Sequence, residues 1–199
     1  MDANQLLSLY EQGERNFYEV DLIGADLSRA VLRKADFSRA YLNKADLIGA
    51  DLTEAVFCEA NLSQTQLIGA NLSGVFLSPI GEANIIGANL WQADLSGANL
   101  SGANLSKAYF YNARLIGTNL NRVNLLKANL SGSDFSGAKL IEADLSEANL
   151  TGAKFIGADL SRANLRESIL DPLWVNHVEE IFHGANLSGA TMPNGSIHD

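Results

Sequence analysis

A five-residue repeat runs along almost the whole of this 199-residue chain and restricts its fold more than any other feature. From residue 20 onward a small residue, a polar residue and a Leu or Phe recur in the same order, as in Ala25-Asp26-Leu27. The frame is continuous to Leu77, restarts three residues out of step and continues to Leu170, and it returns at 185–192. The third residue of every unit is apolar, and we call it the centre.

Neither an α-helix nor a plain β-strand accommodates a period of five. An α-helix advances about 100° per residue, so centres five apart would be spread over all of its faces. In a strand the side chains alternate, so an odd period would send successive centres to opposite faces. The pattern instead predicts a short extended piece with the small residue and the centre pointing inward, followed by a two-residue corner. Repeated corners make a coil, whose walls stay close only if the residue two positions before each centre is small.

The spacing of the phenylalanines gives the number of sides. Phe17, Phe37 and Phe57 are twenty residues apart, and so are Phe135 and Phe155, as expected if four units close one turn and large residues stack in a column. With neighbouring backbones about 4.8 Å apart, eight to nine coils form a rod roughly 40 Å long. We number the four faces from the one that carries Phe17.

The interruptions are predicted to preserve this frame. The first adds three residues, so Leu77 and Leu100 should stack on face 1. The second adds seven residues, so Phe182 should continue the column of Phe155.

The motif Ala-(Asp/Asn)-Leu-X-X resembles the signature of the pentapeptide repeat family, and of its cyanobacterial members in particular. The resemblance covers nearly all of residues 20–170 and returns at 185–192. It implies an all-β fold, a right-handed quadrilateral parallel β-helix with the centre and the preceding small residue inside. The roles that it implies are interactions: some members resemble duplex DNA and bind gyrase, and at least one cyanobacterial member regulates cell differentiation.

We predict one solenoid domain over residues 1–199, opened by a short helix that covers the first coil. Asp2 is the expected N-cap of this helix, Leu6, Leu9 and Tyr10 form its packing face, and Gly13 ends it. The predicted segments are a capping helix at 1–13, a first coil block at 14–77, a corner loop at 78–84, a second coil block at 85–170, a short helical insertion at 171–181, and a last coil with a C-terminal tail at 182–199.

The chain shows no arrangement of residues that predicts catalysis. His177, His183 and His198 have no spacing to Cys58 or to carboxylates that suggests a metal site or a catalytic triad. Glycines such as Gly49 recur at corners, where a positive φ is cheap for glycine, and no glycine-rich phosphate-binding loop is present. The sequence therefore predicts a protein without enzymatic activity, cofactor or metal.

No apolar stretch of about 18 residues and no apolar leader is present, so we expect a cytoplasmic protein without membrane association. The lone Cys58 forms no disulfide within the chain, which is compatible with a reducing compartment.

The net charge of −9 raises the question of DNA mimicry. The outward charges of faces 1 to 4 sum to −1, 0, −2 and 0, and the remaining acidity lies in caps and loops. A duplex mimic requires rows of unpaired carboxylates, and a nucleic-acid binder requires a basic stripe. We therefore favour a regulatory or scaffolding protein that binds another protein, as a monomer or an end-to-end dimer. A DNA-mimicking binder of gyrase or topoisomerase is the alternative, and a solvated rod without a partner at this surface is the third interpretation.

Face 3 carries the candidate binding site. The residue after each centre of this face runs Ser28, Ile48, Ile68, Trp91, Tyr111, Ser131, Thr151. Four consecutive coils thus place a large apolar or aromatic side chain outward, and Tyr109 lies on the same face. Contiguous exposed apolar surface with aromatic members marks interaction sites, so we predict partner binding here. The competing interpretation is that these side chains only cover one another and the corner backbone. We call the candidate set the ridge, and its members are Ile48, Ile68, Trp91, Tyr109 and Tyr111.

Overall fold

The computed structural model describes residues 1–77, 83–171 and 181–199. They form a right-handed, four-sided parallel β-helix preceded by one helix, α1, which spans Ala3–Glu11. Within these ranges the walls contain isolated parallel bridges instead of continuous strands. The predicted corner loop and helical insertion lie outside the described residues, except for residues 83, 84, 171 and 181.

The predicted frame is confirmed by the pairing of successive coils. Bridges join residues twenty apart within each coil block, and across the first interruption Phe76 pairs with Asn99. The backbone N–H of Leu77 donates to the carbonyl oxygen of Asn99 at 3.0 Å. Leu77 and Leu100 therefore share face 1, as predicted.

Buried phenylalanines stack in columns inside the coil. Ring centroids are 5.5 Å apart between Phe17 and Phe37, and 5.4 Å apart between Phe37 and Phe57. Phe155 and Phe182 stack at 5.3 Å, which confirms that the second interruption leaves the faces in register. Each buried centre contributes about 1.5–3 kcal/mol, most of which is consumed by ordering the backbone.

The small residues before the centres are almost all buried alanines. At four described positions inside the coil a Thr or Ser replaces Ala: the hydroxyls of Thr65, Thr118 and Ser133 donate to the backbone, whereas Ser168 Oγ has no hydrogen-bond partner among the described residues. Thr65 Oγ1 donates to the carbonyl oxygen of Leu62 at 2.8 Å, and Thr118 Oγ1 donates to that of Leu95 at 2.9 Å. Because these polar atoms are satisfied, they interrupt the apolar interior at little cost.

Where Asp or Asn precedes the centre, the corner is a tight turn held by two hydrogen bonds. At the corner after Leu47, the N–H of Ala50 donates to the Leu47 carbonyl oxygen at 3.0 Å, and Gly49 has φ +65°. Of the two central residues of this turn, Gly49 has a positive φ and Ile48 does not, which identifies a type II turn. Asp46 Oδ1 accepts the N–H of Ile48 at 2.9 Å. The outward Asp and Asn residues thus serve backbone hydrogen bonding, as the sequence indicated.

Corners without glycine adopt the same conformation with a charged or polar residue. Lys107 and Glu147, for example, have φ of 59° and 56°. A left-handed conformation costs about 1–2 kcal/mol for a residue with a Cβ. The turn and the inter-coil hydrogen bonds hold these residues in place, so glycine is optional at the corners.

Helix α1 begins with the predicted cap. The Asp2 carboxylate accepts the N–H of Gln5 at 2.8 Å, and the Gln5 side chain accepts the N–H of Asp2 at 3.1 Å. This reciprocal pair is a capping box. Gly13 follows the helix with φ +99°.

The packing face of α1 differs from the prediction in one residue. Leu6 is 0% exposed, and Leu7 and Tyr10 pack partly against the core. The Tyr10 hydroxyl also donates to the carbonyl oxygen of Arg33 at 3.0 Å. Leu9 is 36% exposed, so its predicted place on the packing face was wrong. Helical geometry puts Leu6, Leu7 and Tyr10 on one stripe, and Leu9 lies at its flank.

Candidate functional site

The ridge residues after the centres form a continuous line on face 3. The carbonyl oxygens of Ile68, Trp91 and Tyr111 each accept the corner N–H of the preceding coil, at 2.9, 2.9 and 3.0 Å. This ladder places Ile48, Ile68, Trp91 and Tyr111 directly above one another. At about 4.8 Å per coil, the line is roughly 14 Å long.

The aromatic members contact each other and still face solvent. The rings of Trp91 and Tyr111 meet edge to face, with centroids 6.2 Å apart and planes at 64°. Trp91 is nevertheless 44% exposed and Tyr111 46% exposed. Ile48 is exposed and Ile68 is half-buried. The ridge side chains therefore cover one another only in part, and much of their apolar surface stays exposed to solvent.

Tyr109 stands directly before a centre, at the position where most units have an Asp or Asn whose side chain accepts a backbone N–H of the corner. On the same face Asn89 Oδ1 accepts the N–H of Trp91 at 3.2 Å, and Asn129 Oδ1 accepts that of Ser131 at 3.2 Å. The phenol oxygen of Tyr109 lies at the far end of a ring and cannot reach the N–H of Tyr111 in this way. Tyr109 is also 54% exposed. Neither corner geometry nor the core explains a tyrosine here.

Face 3 is uncharged along most of its length. From Ile48 to Gly152 its outward positions hold only amide, hydroxyl, apolar and aromatic side chains or glycine. The ridge therefore lies in a neutral lane, with no lysine, arginine or carboxylate of its own face beside the aromatic rings.

The other faces carry charges that pair from coil to coil. Glu142 lies between Arg122 and Arg162, with nitrogen–oxygen distances of 2.9 and 2.8 Å. Hydrogen bonds from Arg122, and then from Arg162, hold the pKa of Glu142 below its ordinary value. Further ladder pairs join Arg39 to Glu19 and Glu59, Lys34 to Glu54, and Lys127 to Glu147.

The described residues offer little for metal or thiol chemistry. None of them groups three or more His, Cys, Asp or Glu side chains into a metal-binding cluster. Burial raises the pKa of the Cys58 thiol, which keeps it protonated and a weak nucleophile. His177 lies outside the described ranges. Within those ranges, no helix has both the length and the apolar character needed to cross a bilayer.

These features define a four-sided β-solenoid whose inward side chains pack the core and whose outward side chains form an exposed surface. Family models described as pentapeptide repeats match residues 16–53 and 35–74, and one described as a pentapeptide repeat region matches residues 88–165. The chain belongs to the pentapeptide repeat family. Members are in general non-enzymatic structural or interaction proteins, and fold and family together support a non-catalytic repeat protein.

Solved structures similar to this chain include a regulatory protein, a resistance protein and a third pentapeptide repeat protein. HetL, a protein of the cyanobacterium Nostoc sp. strain PCC 7120 involved in heterocyst differentiation regulation, is 31% identical over 100% of both chains, with a TM-score of 0.29. QnrB1, a plasmid-mediated fluoroquinolone resistance protein, is 22% identical over 90% of this chain and 94% of its own, with a TM-score of 0.58. Rfr23 of the cyanobacterium Cyanothece 51142 is 24% identical over 85% of this chain and 100% of its own, with a TM-score of 0.26. The likeness to QnrB1 shows the shared fold. A comparison with curated proteins gave no match.

Proposed function

We propose that this chain is a regulatory or scaffolding protein that binds a partner protein through the ridge. The observation that carries the proposal is the line of four consecutive large apolar side chains within the uncharged lane of face 3. None of the other three faces has such a line at the equivalent positions.

The composition of the ridge suits an interface. Interface energies are dominated by a few residues, with Trp and Tyr enriched among them and charged residues depleted at the centre. Trp91, Tyr109 and Tyr111 supply large, rigid contact area, and their exposed fractions leave that area available. Tyr109 also replaces a corner acceptor, so the fold gives up a hydrogen bond where the tyrosine stands.

The alternative function, a DNA-mimicking binder of gyrase or topoisomerase, has one supporting observation, the fold shared with QnrB1. A shared fold does not by itself imply a shared function. The paired ladders on face 1, such as Arg122–Glu142–Arg162, are unlike the rows of unpaired acid that a duplex mimic presents. We therefore rank this function second.

The test is affinity capture from the native cell with three immobilised proteins. These are the wild type, the ridge variant Trp91→Ser/Tyr111→Ser, and the control Tyr18→Ser/Tyr41→Ser. The control removes two exposed aromatic side chains from faces 1 and 2. We expect one protein to be captured by the wild type and the control and to be lost with the ridge variant. Its purified form should then bind the wild type in calorimetry.

Equal capture by all three proteins would assign the ridge to packing and contradict the proposal. Unchanged folding of each variant is checked by circular dichroism before capture.

A further inference from the structure

We infer that the segment seated on the ridge is an amphipathic helix of a basic partner, with its Lys or Arg residues at the end that reaches the first two coils. This inference rests on the proposed function and specifies the chemistry of the partner.

The spacing of the ridge favours a helix lying along the rod. A helix rises about 5.4 Å per turn, close to the roughly 4.8 Å between coils, so anchors at i, i+3 or i+4, and i+7 meet Ile68, Trp91 and Tyr111 in turn. An extended strand presents side chains of one face about 6.6 Å apart and loses register by the second coil. A Cβ built on Gly69 meets no atom within 4 Å, so the corner beside Ile68 is open. The helix can therefore seat against the flank of the ridge.

The charged residues of face 3 closest to the ridge lie at its N-terminal end, where Asp26, Asp46 and Arg29 sum to −1. Asp26 and Asp46 are stacked on adjacent coils at the N-terminal end of the ridge. Among the described residues no basic side chain forms an ion pair with either of them, and Arg29, the one cation of this face, pairs with neither. The other aspartates of the repeat units have no aspartate directly above or below them in the bridge ladder of the described chain.

The N-terminal end of the whole rod is acidic as well. Residues 1–28 contain six acidic side chains and one basic side chain, Arg15. Beyond the ridge the outward positions of face 3 stay neutral to Gly152, and the next charge, Asp171, lies three coils beyond Tyr111. A charged occupant therefore gains most with its positive end toward the first two coils, and the field of a chain of net charge −9 also speeds its approach.

A second copy of this chain fits the surface less well. It would bring the same net charge of −9 against the first. A line roughly 14 Å long on one face also covers far less than the ~800 Å² per partner typical of stable dimers.

The experiment selects peptides from a phage-displayed library of random 16-residue sequences on the immobilised full-length protein. Selected peptides are synthesised, and their affinities are measured by fluorescence anisotropy. We expect apolar and aromatic residues at helical spacing with Lys or Arg at one end. We also expect a helical circular dichroism signal that grows on binding.

Charge dependence is measured with Asp26→Asn/Asp46→Asn, which keeps the corner acceptors because asparagine serves the same role at Asn129. We expect affinity about 3–10-fold lower at low salt and a difference that shrinks at high salt. The control Asp134→Asn/Asp159→Asn makes the same charge change on faces 4 and 1, and it should shift affinity less than about 2-fold.

The outcomes separate the two proposals. Peptides that need Trp91 and Tyr111 but bind Asp26→Asn/Asp46→Asn as tightly as the wild type overturn the basic partner and leave the ridge intact as a binding site. Peptides that bind Trp91→Ser/Tyr111→Ser undiminished, or a selection without any ridge-dependent peptide, overturn both. A ridge-dependent dimer in sedimentation velocity makes the occupant a second copy and overturns this inference.

Discussion

The corner positions of face 3 show how little the fold asks of the residue after a centre. Ser28 and Ser131 occupy the same position as Trp91 and Tyr111, and all four lie in corners of the same geometry. Since a small hydroxyl residue is sufficient for the turn, the aromatic side chains are free to serve another purpose.

Trp91→Ser/Tyr111→Ser should therefore leave the rod folded. We expect the free energy of unfolding to fall by about 1–2 kcal/mol, because an aromatic pair contributes about 0.5–1.5 kcal/mol to stability and both rings are nearly half exposed. Phe110→Ala on the same face, where the ring is fully buried, should cost about 3–5 kcal/mol. Chemical denaturation of the three proteins measures both values. A double variant as unstable as Phe110→Ala would show that the ridge is part of the structural packing.

Tyr109→Asn should stabilise the protein. Asparagine restores the acceptor for the N–H of Tyr111, and one such hydrogen bond contributes about 0.5–1.5 kcal/mol. Tyr109→Ala, which removes the same ring without adding an acceptor, is the matched control and should not gain stability. Thermal melting of both variants checks this, and a lower melting temperature for Tyr109→Asn than for Tyr109→Ala would contradict it.

At the scale of single residues, the sequence predicted positions better than conformations. Counting in steps of five placed Ile48, Ile68, Trp91 and Tyr111 in one line, because a solenoid converts sequence spacing into location. Counting could not show that Lys107 adopts a positive φ, since an isolated chain disfavours it and only neighbouring coils enforce it. The proposed use of the ridge also lies beyond counting, because exposure identifies an available surface and not its occupant.

At the scale of elements, α1 covers the first coil and is held there by Leu6, Leu7 and Tyr10. In a solenoid each coil touches only its neighbours, so an end without a cover opens first. The prediction of the helix and its Asp2 cap was confirmed, whereas Leu9 was placed wrongly because periodicity fixes a stripe only to within one neighbouring position.

Leu6→Ala should destabilise the N-terminal end by about 2–5 kcal/mol, because the side chain is fully buried beneath α1. Leu9→Ala on the same helix removes the same atoms from an exposed position, so we expect it to lower the free energy of unfolding by less than about 1 kcal/mol. Hydrogen exchange should show faster exchange in the first coil of Leu6→Ala and unchanged exchange in the coils near Leu150. Equal effects of the two variants would mean that α1 does not cover the core.

The ladder on face 1 should make stability sensitive to acid. The pKa of Glu142 is lower in the folded protein, because hydrogen bonds from Arg122 and Arg162 favour the carboxylate. The stabilisation that ionised Glu142 gives to the folded protein is therefore fully present above the unfolded glutamate pKa of about 4.3. It is lost as pH falls through the lower pKa of Glu142 in the folded protein. Glu142→Gln should show a flatter decline of melting temperature below about pH 4.5 than the wild type. Parallel curves for the two proteins would show that the ladder adds nothing measurable.

At the scale of the whole molecule, the same repeat that builds the core also arranges the charges. Positions twenty residues apart become vertical neighbours, so an alternation of Glu and Arg along the sequence becomes an alternating ladder on the rod. This geometry brings the net charge of face 1 close to zero and leaves most of the net acidity of the sequence outside the repeat units, in the caps and interruptions.

That arrangement predicts that gyrase supercoiling is unaffected by this protein at micromolar concentration. Duplex DNA presents phosphates at regular spacing with one sign of charge, and a protein that competes for the same cleft must reproduce that field. Here Arg39, Arg122 and Arg162 stand between or beside the acidic residues of face 1, so the field near that face alternates over distances shorter than the Debye length of about 10 Å. Supercoiling assays with relaxed plasmid and increasing protein measure the effect directly. Strong inhibition that disappears when Glu59 and Glu142 are reversed to Lys would overturn the ranking, because it would show that gyrase recognises these carboxylates despite their arginine neighbours.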